Sequence, residues 1–286
     1  MTDKLHKVFI QSNNKQMIGA LVSKYTICKY SSNLEKFDVE IINAEENRTL
    51  NRIFGKEIIK DGSQVLYNKD DLQSFTLLRF SPPEMMNYEG VSLVIDPDVF
   101  SVGADAWELL NSELNYSIKL RISNNINATS VMLLNNSLLK HWSLENIIND
   151  LILKKIDYRD QMSLKHEKEK ITPLHEHWNS FDKLSNETKF LHNTNRLTQP
   201  WKTGLKVDFI RKKMKPFGII PREFIHFILG KRKNYYQKHP SQAQEDFFFI
   251  HLKEAIEEGY ISETLLTEAI QREYVRKDVF DILSKY

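Results

Sequence analysis

Asp96, Pro97 and Asp98 directly follow Val91-Ser92-Leu93-Val94-Ile95, a nearly continuous apolar run suited to a central β-strand buried on both faces. In an open α/β sheet ligands bind outside the carboxyl ends of the strands, so the triplet stands where a site is expected. Alternation along an extended chain can point both carboxylates the same way, and two adjacent carboxylates without a cation repel. A divalent metal ion relieves that conflict. Hard oxygen ligands suit Mg²⁺ or Mn²⁺, ions usually shared between a few protein groups and substrate phosphate oxygens. Taken alone, the triplet also reads as a solvated turn, because Asp and Pro both favour turns.

The elements around the triplet follow from hydrophobic spacing. From Lys7 to about Asn135, short β-rich runs alternate with segments of helical period, the pattern of βαβ units around a mostly parallel sheet. Lys7–Gln11 predicts a first strand, Met17, Leu21, Val22, Tyr25 and Cys28 a crossover helix, and Phe37–Ile42 a second strand. Asp70–Phe80 predicts a helix that Pro82-Pro83 breaks. Ile118–Ile122 and Ser130–Leu134 predict further strands, Leu138–Leu153 a helix, and Thr188–His192 a strand-like stretch before Pro200.

With 286 residues, 41% apolar, 11% aromatic and 27% charged, the chain can bury a sizeable core, which excludes collagen-like, disulfide-stapled and wholly disordered answers. Forty Lys+Arg against 38 Asp+Glu leave +2, so no global field argues for nucleic acid or membrane. The average conceals two opposed segments. Residues 203–240 carry ten basic side chains against Asp208 and Glu223, whereas residues 241–286 carry ten acidic against five basic. In the acidic part Phe248, Leu252, Ala255 and Ile256, then Leu265, Leu266, Ala269 and Ile270, are spaced for two or three short amphipathic helices punctuated by Gly259. The lone Cys28 forms no internal disulfide, Val8-Phe9-Ile10 is too short for a signal segment, and no stretch approaches about 20 apolar residues; the expectation is a cytoplasmic protein, at most peripheral to the inner face of a membrane.

Seven segments in order give the triplet a context. They are Val8–Ser23; Leu78-Arg79-Phe80 followed by Pro82-Pro83-Glu84; Val94-Ile95-Asp96-Pro97-Asp98-Val99; Asn127 through Asn135; Asp160-Gln161; Pro173-Leu174 through Trp178-Asn179; and His192 with Pro200-Trp201-Lys202. Over roughly Lys7 to Lys206 they resemble glycosyltransferase family 8, the glycogenin-like and lipopolysaccharide-galactosyltransferase-like enzymes, and more closely an uncharacterised bacterial group related to them. The resemblance implies a GT-A-like α/β domain over residues 1–205, a mostly parallel sheet flanked by helices, with a helical extension over residues 206–286. It implies transfer of a sugar from a nucleoside diphosphate-sugar to a carbohydrate or glycolipid acceptor, with retention of configuration. Asp96, Asp98 and His192 would hold Mn²⁺ or Mg²⁺ with the donor's diphosphate. Arg79 would contact the donor's sugar or phosphate, Asn13 and Asn14 would stand where the base is read, and Asn127 would line the donor site. Asp160 and Gln161 would stabilise the transition state, with Asp157 as the competing carboxylate. Trp107, Trp142, Trp178 and Trp201 read as core, and the other eight histidines, His175 and His177 included, as core or surface.

The chain departs from the family pattern in three places. Asn127-Ala128-Thr129-Ser130 lacks the family's glycine; Asn stands at positions 13 and 14 where acidic or polar residues are usual; and Gln199 replaces a phosphate-binding lysine, for which Arg196 or Lys202 could substitute. In the basic segment Phe217, Ile219, Ile220, Phe224, Phe227, Ile228, Leu229, Tyr235 and Tyr236 interleave with the positive charges, which suits an anionic membrane surface as well as a solvated helical face. No recognised motif accompanies the charge to suggest nucleic acid. The competing readings are a nucleotidyltransferase on the same platform and a non-catalytic nucleotide-sugar-binding protein.

Overall fold

The structure, a computed structural model, describes residues 5–209 and 234–286. Its strands are β1 (His6–Ser12), β2 (Asp38–Asn43), β3 (Glu57–Lys60), β4 (Ser63–Leu66), β5 (Val91–Ile95), β6 (Val99–Ser101), β7 (Ile118–Ser123), β8 (Ile126–Asn135), β9 (Ile171–Pro173), β10 (Ser180–Phe181) and β11 (Phe190–His192). Its α-helices are α1 (Met17–Tyr30), α2 (Arg48–Asn51), α3 (Pro82–Met85), α4 (Ala106–Leu110), α5 (Leu144–Ile152), α6 (Tyr158–Met162), α7 (Gln242–Glu257), α8 (Glu263–Gln271) and α9 (Val279–Leu283).

Six strands form the central sheet in the order β2-β1-β5-β8-β7-β9. β1 runs parallel to both β2 and β5, and β9 parallel to β7, while β8 is antiparallel to both of its neighbours. The expected α/β architecture, a mostly parallel sheet flanked by helices with helices at the C-terminus, is the one the chain adopts. Because the chain leaves β1 on one side for β2 and returns on the other for β5, a crevice opens at the carboxyl ends of β1 and β5. Side-chain alternation divides the central strands between two layers. Phe9, Val94, Met132 and Leu134 enter one core cluster, and Val8, Ile10, Leu93, Ile95, Val131 and Leu133 the other. The apolar run of β5 is therefore buried on both faces, as its composition requires.

Helix α1 is apolar nearly all round because it is covered twice. Ala20 and Ile27 pack toward the sheet, while Ile18, Val22 and Tyr25 join Phe248, Phe249, Leu252 and Ala255 of α7. The amphipathic helices predicted near the C-terminus are present as α7 to α9, and Gly259, at φ +80°, follows the end of α7.

Several local expectations change. Residues 70–75 turn instead of winding into a helix, and only Thr76–Phe80 forms a 3₁₀ helix. The Asn68 and Asp71 side chains accept from the backbone N–H groups of Asp70 and Gln73, so side chains compete for the donors a helix would use. Pro82-Pro83 does not only end a helix; it opens α3, where a missing N–H costs nothing. The helix expected over Leu138–Leu153 begins at Leu144, capped by Ser143, and the strand expected over Thr188–His192 contracts to Phe190–His192. Two hairpins tighten through Asp61-Gly62 and Asn124-Asn125, all four at positive φ. Of the aromatic and basic segment, residues 210–233, which include Phe217, Phe224 and Phe227, lie outside the described residues. No described helix is long and apolar enough to cross a membrane.

Candidate active site

β5 ends at Ile95, and the next three residues turn before β6 begins at Val99. β6 pairs antiparallel with β11 in a register that sets His192 opposite Val99. That register brings an imidazole 94 positions downstream beside Asp98, and a one-residue slip would turn it to the other face. One ligand atom each of Asp96, Asp98 and His192 lies within 4.8 Å of the others. Their side chains are 15%, 14% and 12% exposed, too buried for a solvated turn and too open for the core. All three line a cavity of about 200 Å³ together with Gln16, Gln73, Thr194, Arg196 and Gln199.

The donor set suits a divalent cation. Asn179 Nδ2 donates to Ser130 Oγ at 3.0 Å, which leaves Asn179 Oδ1 to face His192 Nδ1 at 3.1 Å. Nδ1 is therefore the donor in that pair, and Nε2 faces Asp98 Oδ1 at 3.6 Å, beyond hydrogen-bond reach. Burial pushes the Asp98 carboxyl above its ordinary range; His192 opposes this and the Asp96 charge adds to it. Two oxygen donors and one oriented imidazole fit Mn²⁺, with Mg²⁺ also compatible.

The other predicted residues have partners of their own. Arg79, only 4% exposed, donates from Nε to the Thr76 carbonyl, from Nη1 to Thr129 Oγ1 and from Nη2 to Asp96 Oδ1 at 3.3 Å. Its fork is thus engaged with the first carboxylate and the walls beside it. Asn13 is buried, its Oδ1 accepting from Gln16 N and its Nδ2 donating to the Leu72 carbonyl and Ser74 Oγ. It anchors the 71–74 loop, and Leu72, Gln73 and Phe75 of that stretch wall the cavity. Asn14 accepts from Asn43 Nδ2 at 3.0 Å. Asn127 donates to the Ser163 carbonyl at 2.9 Å, tying β8 to the end of α6. Asp160, on α6, pairs with Lys165 at 2.6 Å, and neither it nor Gln161 is among the residues lining the cavity. Asp157 caps α6 and accepts from Gly62 N at 2.8 Å.

Of the two cations considered in place of a lysine at position 199, Arg196 lines the cavity. Lys202 is fully buried, 3.4 Å from Asp208, which also lies 3.6 Å from Lys15 and accepts from the Tyr236 hydroxyl at 2.5 Å. Burial, the largest influence, pulls the Lys202 ammonium down to about 8 against the opposing pull of Asp208. The folded protein then sheds this proton near pH 8 and the unfolded chain near 10.5, so between those values the unfolded chain holds more protons. Stability from this group rises with pH across that window. Lys202→Met is expected to flatten the rise, read from urea midpoints of the two proteins between about pH 8 and about pH 10.

Sequence reasoning passed over Gln11, Gln16 and Gly19. Gln11 Nε2 donates to Asp96 Oδ1 at 2.5 Å, and the Gln16 and Gln199 amides bond each other reciprocally at 3.1 and 3.2 Å. Gly19 lets α1 approach the Asp-Pro-Asp turn: a Cβ there would stand 2.9 Å from both the Pro97 carbonyl oxygen and the Trp201 ring. A glycine inside a helical period was the one visible signal. Gly19→Ala is expected to destabilise the protein by about 1–3 kcal/mol despite alanine's better helix propensity, and to weaken metal binding, because the turn carrying both carboxylates must shift. Urea unfolding and Mn²⁺ calorimetry check both.

Among solved structures, the chain is similar to the glycosyltransferase GlyE of Streptococcus pneumoniae TIGR4, with 15% identity over 91% of this chain and 64% of that one and a TM-score of 0.49. It is similar to the galactosyltransferase LgtC in complex with donor and acceptor sugar analogues, with 12% identity over 68% and 89% and a TM-score of 0.47. It is also similar to mouse xyloside xylosyltransferase 1, with 12% identity over 68% and 98% and a TM-score of 0.45. The chain spans 64% of the GlyE structure's length. No family model matches the chain, and no curated protein matches it in sequence.

Proposed function

We propose that this chain is a metal-dependent glycosyltransferase of the GT-A, family 8 type, moving a sugar from a nucleoside diphosphate-sugar to a carbohydrate or glycolipid acceptor with retention of configuration. The observation that carries the reading is the convergence of Asp96, Asp98 and His192 on one cavity at the carboxyl ends of the central strands. The seven ordered segments that resemble the family support it independently.

In this reading Asp96, Asp98 and His192 hold Mn²⁺ or Mg²⁺, which when bound supplies positive charge to the departing diphosphate. Arg196, at the cavity wall, takes the diphosphate's remaining negative charge, a task suited to a planar, permanently charged fork. Arg79 holds Asp96 and closes the wall on the sugar side through Thr129. Asn13 and Asn14 shape the base end by fixing the loop and strand around it, so that backbone groups contact the base. Asp160 and Gln161 serve the sugar and acceptor side as transition-state stabilisers, on a helix tied to the Arg79 wall through Tyr158 and Thr76, whose hydroxyls lie 2.7 Å apart.

A panel of nucleotide-sugars, screened with and without Mn²⁺ for thermal stabilisation and for turnover, tests the proposal. One donor class is expected to raise the melting temperature only with metal and to release nucleoside diphosphate. Release or consumption of pyrophosphate would assign a nucleotidyltransferase instead, and binding without turnover a non-catalytic protein.

A further inference from the structure

The two carboxylates are not held alike by cations; each is held by a neutral carboxamide. Asp96 Oδ1 accepts from Gln11 Nε2 at 2.5 Å as well as from Arg79, and Asp98 Oδ2 accepts from Gln199 Nε2 at 3.3 Å. Gln199 is itself locked by its reciprocal pair with Gln16, which stands immediately before α1. Gln11, Gln16 and Gln199 are all buried. These bonds occupy one oxygen of each carboxylate and leave the other, with Asp98 Oδ1 being the oxygen that faces His192 Nε2.

Gln11 shows that this arrangement is costly to the fold. Its Oε1 is buried with no hydrogen-bond partner, a penalty that an apolar side chain of the same length would avoid. Its orientation is nevertheless dictated: turned over, the amide would set a carbonyl oxygen against a carboxylate. The half-satisfied amide therefore stands out as a group retained for its donation to Asp96. Gln199 makes a matching point about charge. Where the resemblance sets a lysine, whose positive charge would lie beside Asp98, this chain has an amide, which orients the carboxylate and adds no charge.

We propose that Gln11 and Gln199 are positioning residues for the metal: neutral donors that each grip one oxygen of Asp96 or Asp98 and turn the other toward the cation. The inference rests on the metal-dependent reading above. In consequence the nucleotide-free protein binds a divalent cation by itself, before any diphosphate is present to share the ion.

The test is Mn²⁺ binding to the full chain without nucleotide, measured by calorimetry and by the electron paramagnetic resonance signal of free Mn²⁺, beside apo melting temperatures. The natural protein is expected to bind Mn²⁺. Gln11→Met and Gln199→Met are each expected to weaken binding about 10–100-fold; the apo melting temperature is expected not to fall in Gln11→Met, and to fall in Gln199→Met because the buried Gln16 amide loses its partner. Gln199→Lys, which keeps an N–H donor but adds a charge, is expected to weaken it at least about tenfold. If Gln11→Met does not fold, the two Gln199 variants, at the cavity wall, decide. Unchanged Mn²⁺ affinity in the folded variants overturns the positioning role and leaves the functional reading standing. Failure of the natural protein to bind Mn²⁺ without nucleotide also overturns the inference, whereas the functional reading falls only if no nucleotide-sugar binds with Mn²⁺ either.

Discussion

Asp98→Asn is expected to reduce metal-dependent sugar transfer roughly 10²- to 10³-fold while leaving the metal-free protein at least as stable as the natural one. The activity term follows from losing one charged ligand of an ion that contributes several kcal/mol to a developing diphosphate charge. The stability term has the opposite sign for a physical reason. Asp98 is mostly withdrawn from water and lies near a second carboxylate, so without a cation its charge opposes folding; the neutral amide removes that repulsion and can still accept from Gln199. A variant that loses turnover and keeps or gains melting temperature marks a group retained for chemistry. The measurements are turnover at saturating Mn²⁺ and apo thermal unfolding. Loss of both together would mean that Asp98 is structural.

Phe248→Ala is expected to cost about 3–5 kcal/mol, the range for removing a large aromatic side chain from a close-packed core. The Phe248 ring is stacked 4.8 Å from Trp201 and lies 5.7 Å from Phe100 and 5.4 Å from Phe249, joining α7 to β6 and to the segment after β11. Because Trp201 in turn packs on Gly19 and α1, which abuts Pro97, the loss is expected to reach the Asp96, Asp98 and His192 cluster and, if the proposed metal role holds, to weaken Mn²⁺ binding. A single urea transition at a lower midpoint is expected. Two separate transitions would show that the C-terminal helices fold independently of the sheet.

How far the residues alone disclose this arrangement differs from element to element. Val91–Ile95 announces itself because a strand covered on both faces needs an unbroken apolar run, and the triplet after it inherits its place from the strand. The C-terminal helices are equally legible, since Phe248, Leu252 and Ala255 recur at the period of a helix buried on one side. By contrast, Asp70–Phe80 has helical spacing but spends its donors on Asn68 and Asp71, a local competition that periodicity does not register. The β3–β4 hairpin also passed unread, although Asp61-Gly62 is the pair a tight turn requires.

The order of apolar and polar residues, acting through nearest-neighbour backbone geometry, determined five of the six strands of the central sheet, β9 excepted, the covered helix after β1 and two acids at a strand's carboxyl end. Those are properties a segment carries by itself. Which other groups meet the acids was decided only by long-range pairing. His192 arrives through the β6–β11 register, Gln11 through β1 lying beside β5, and Gln199 through its amide pair with Gln16. Each contact joins residues 85 to 183 positions apart or an equivalent cross-strand step, and no local preference encodes it. Burial then fixes its strength, because a donor beside a half-buried carboxylate matters far more than the same donor in water.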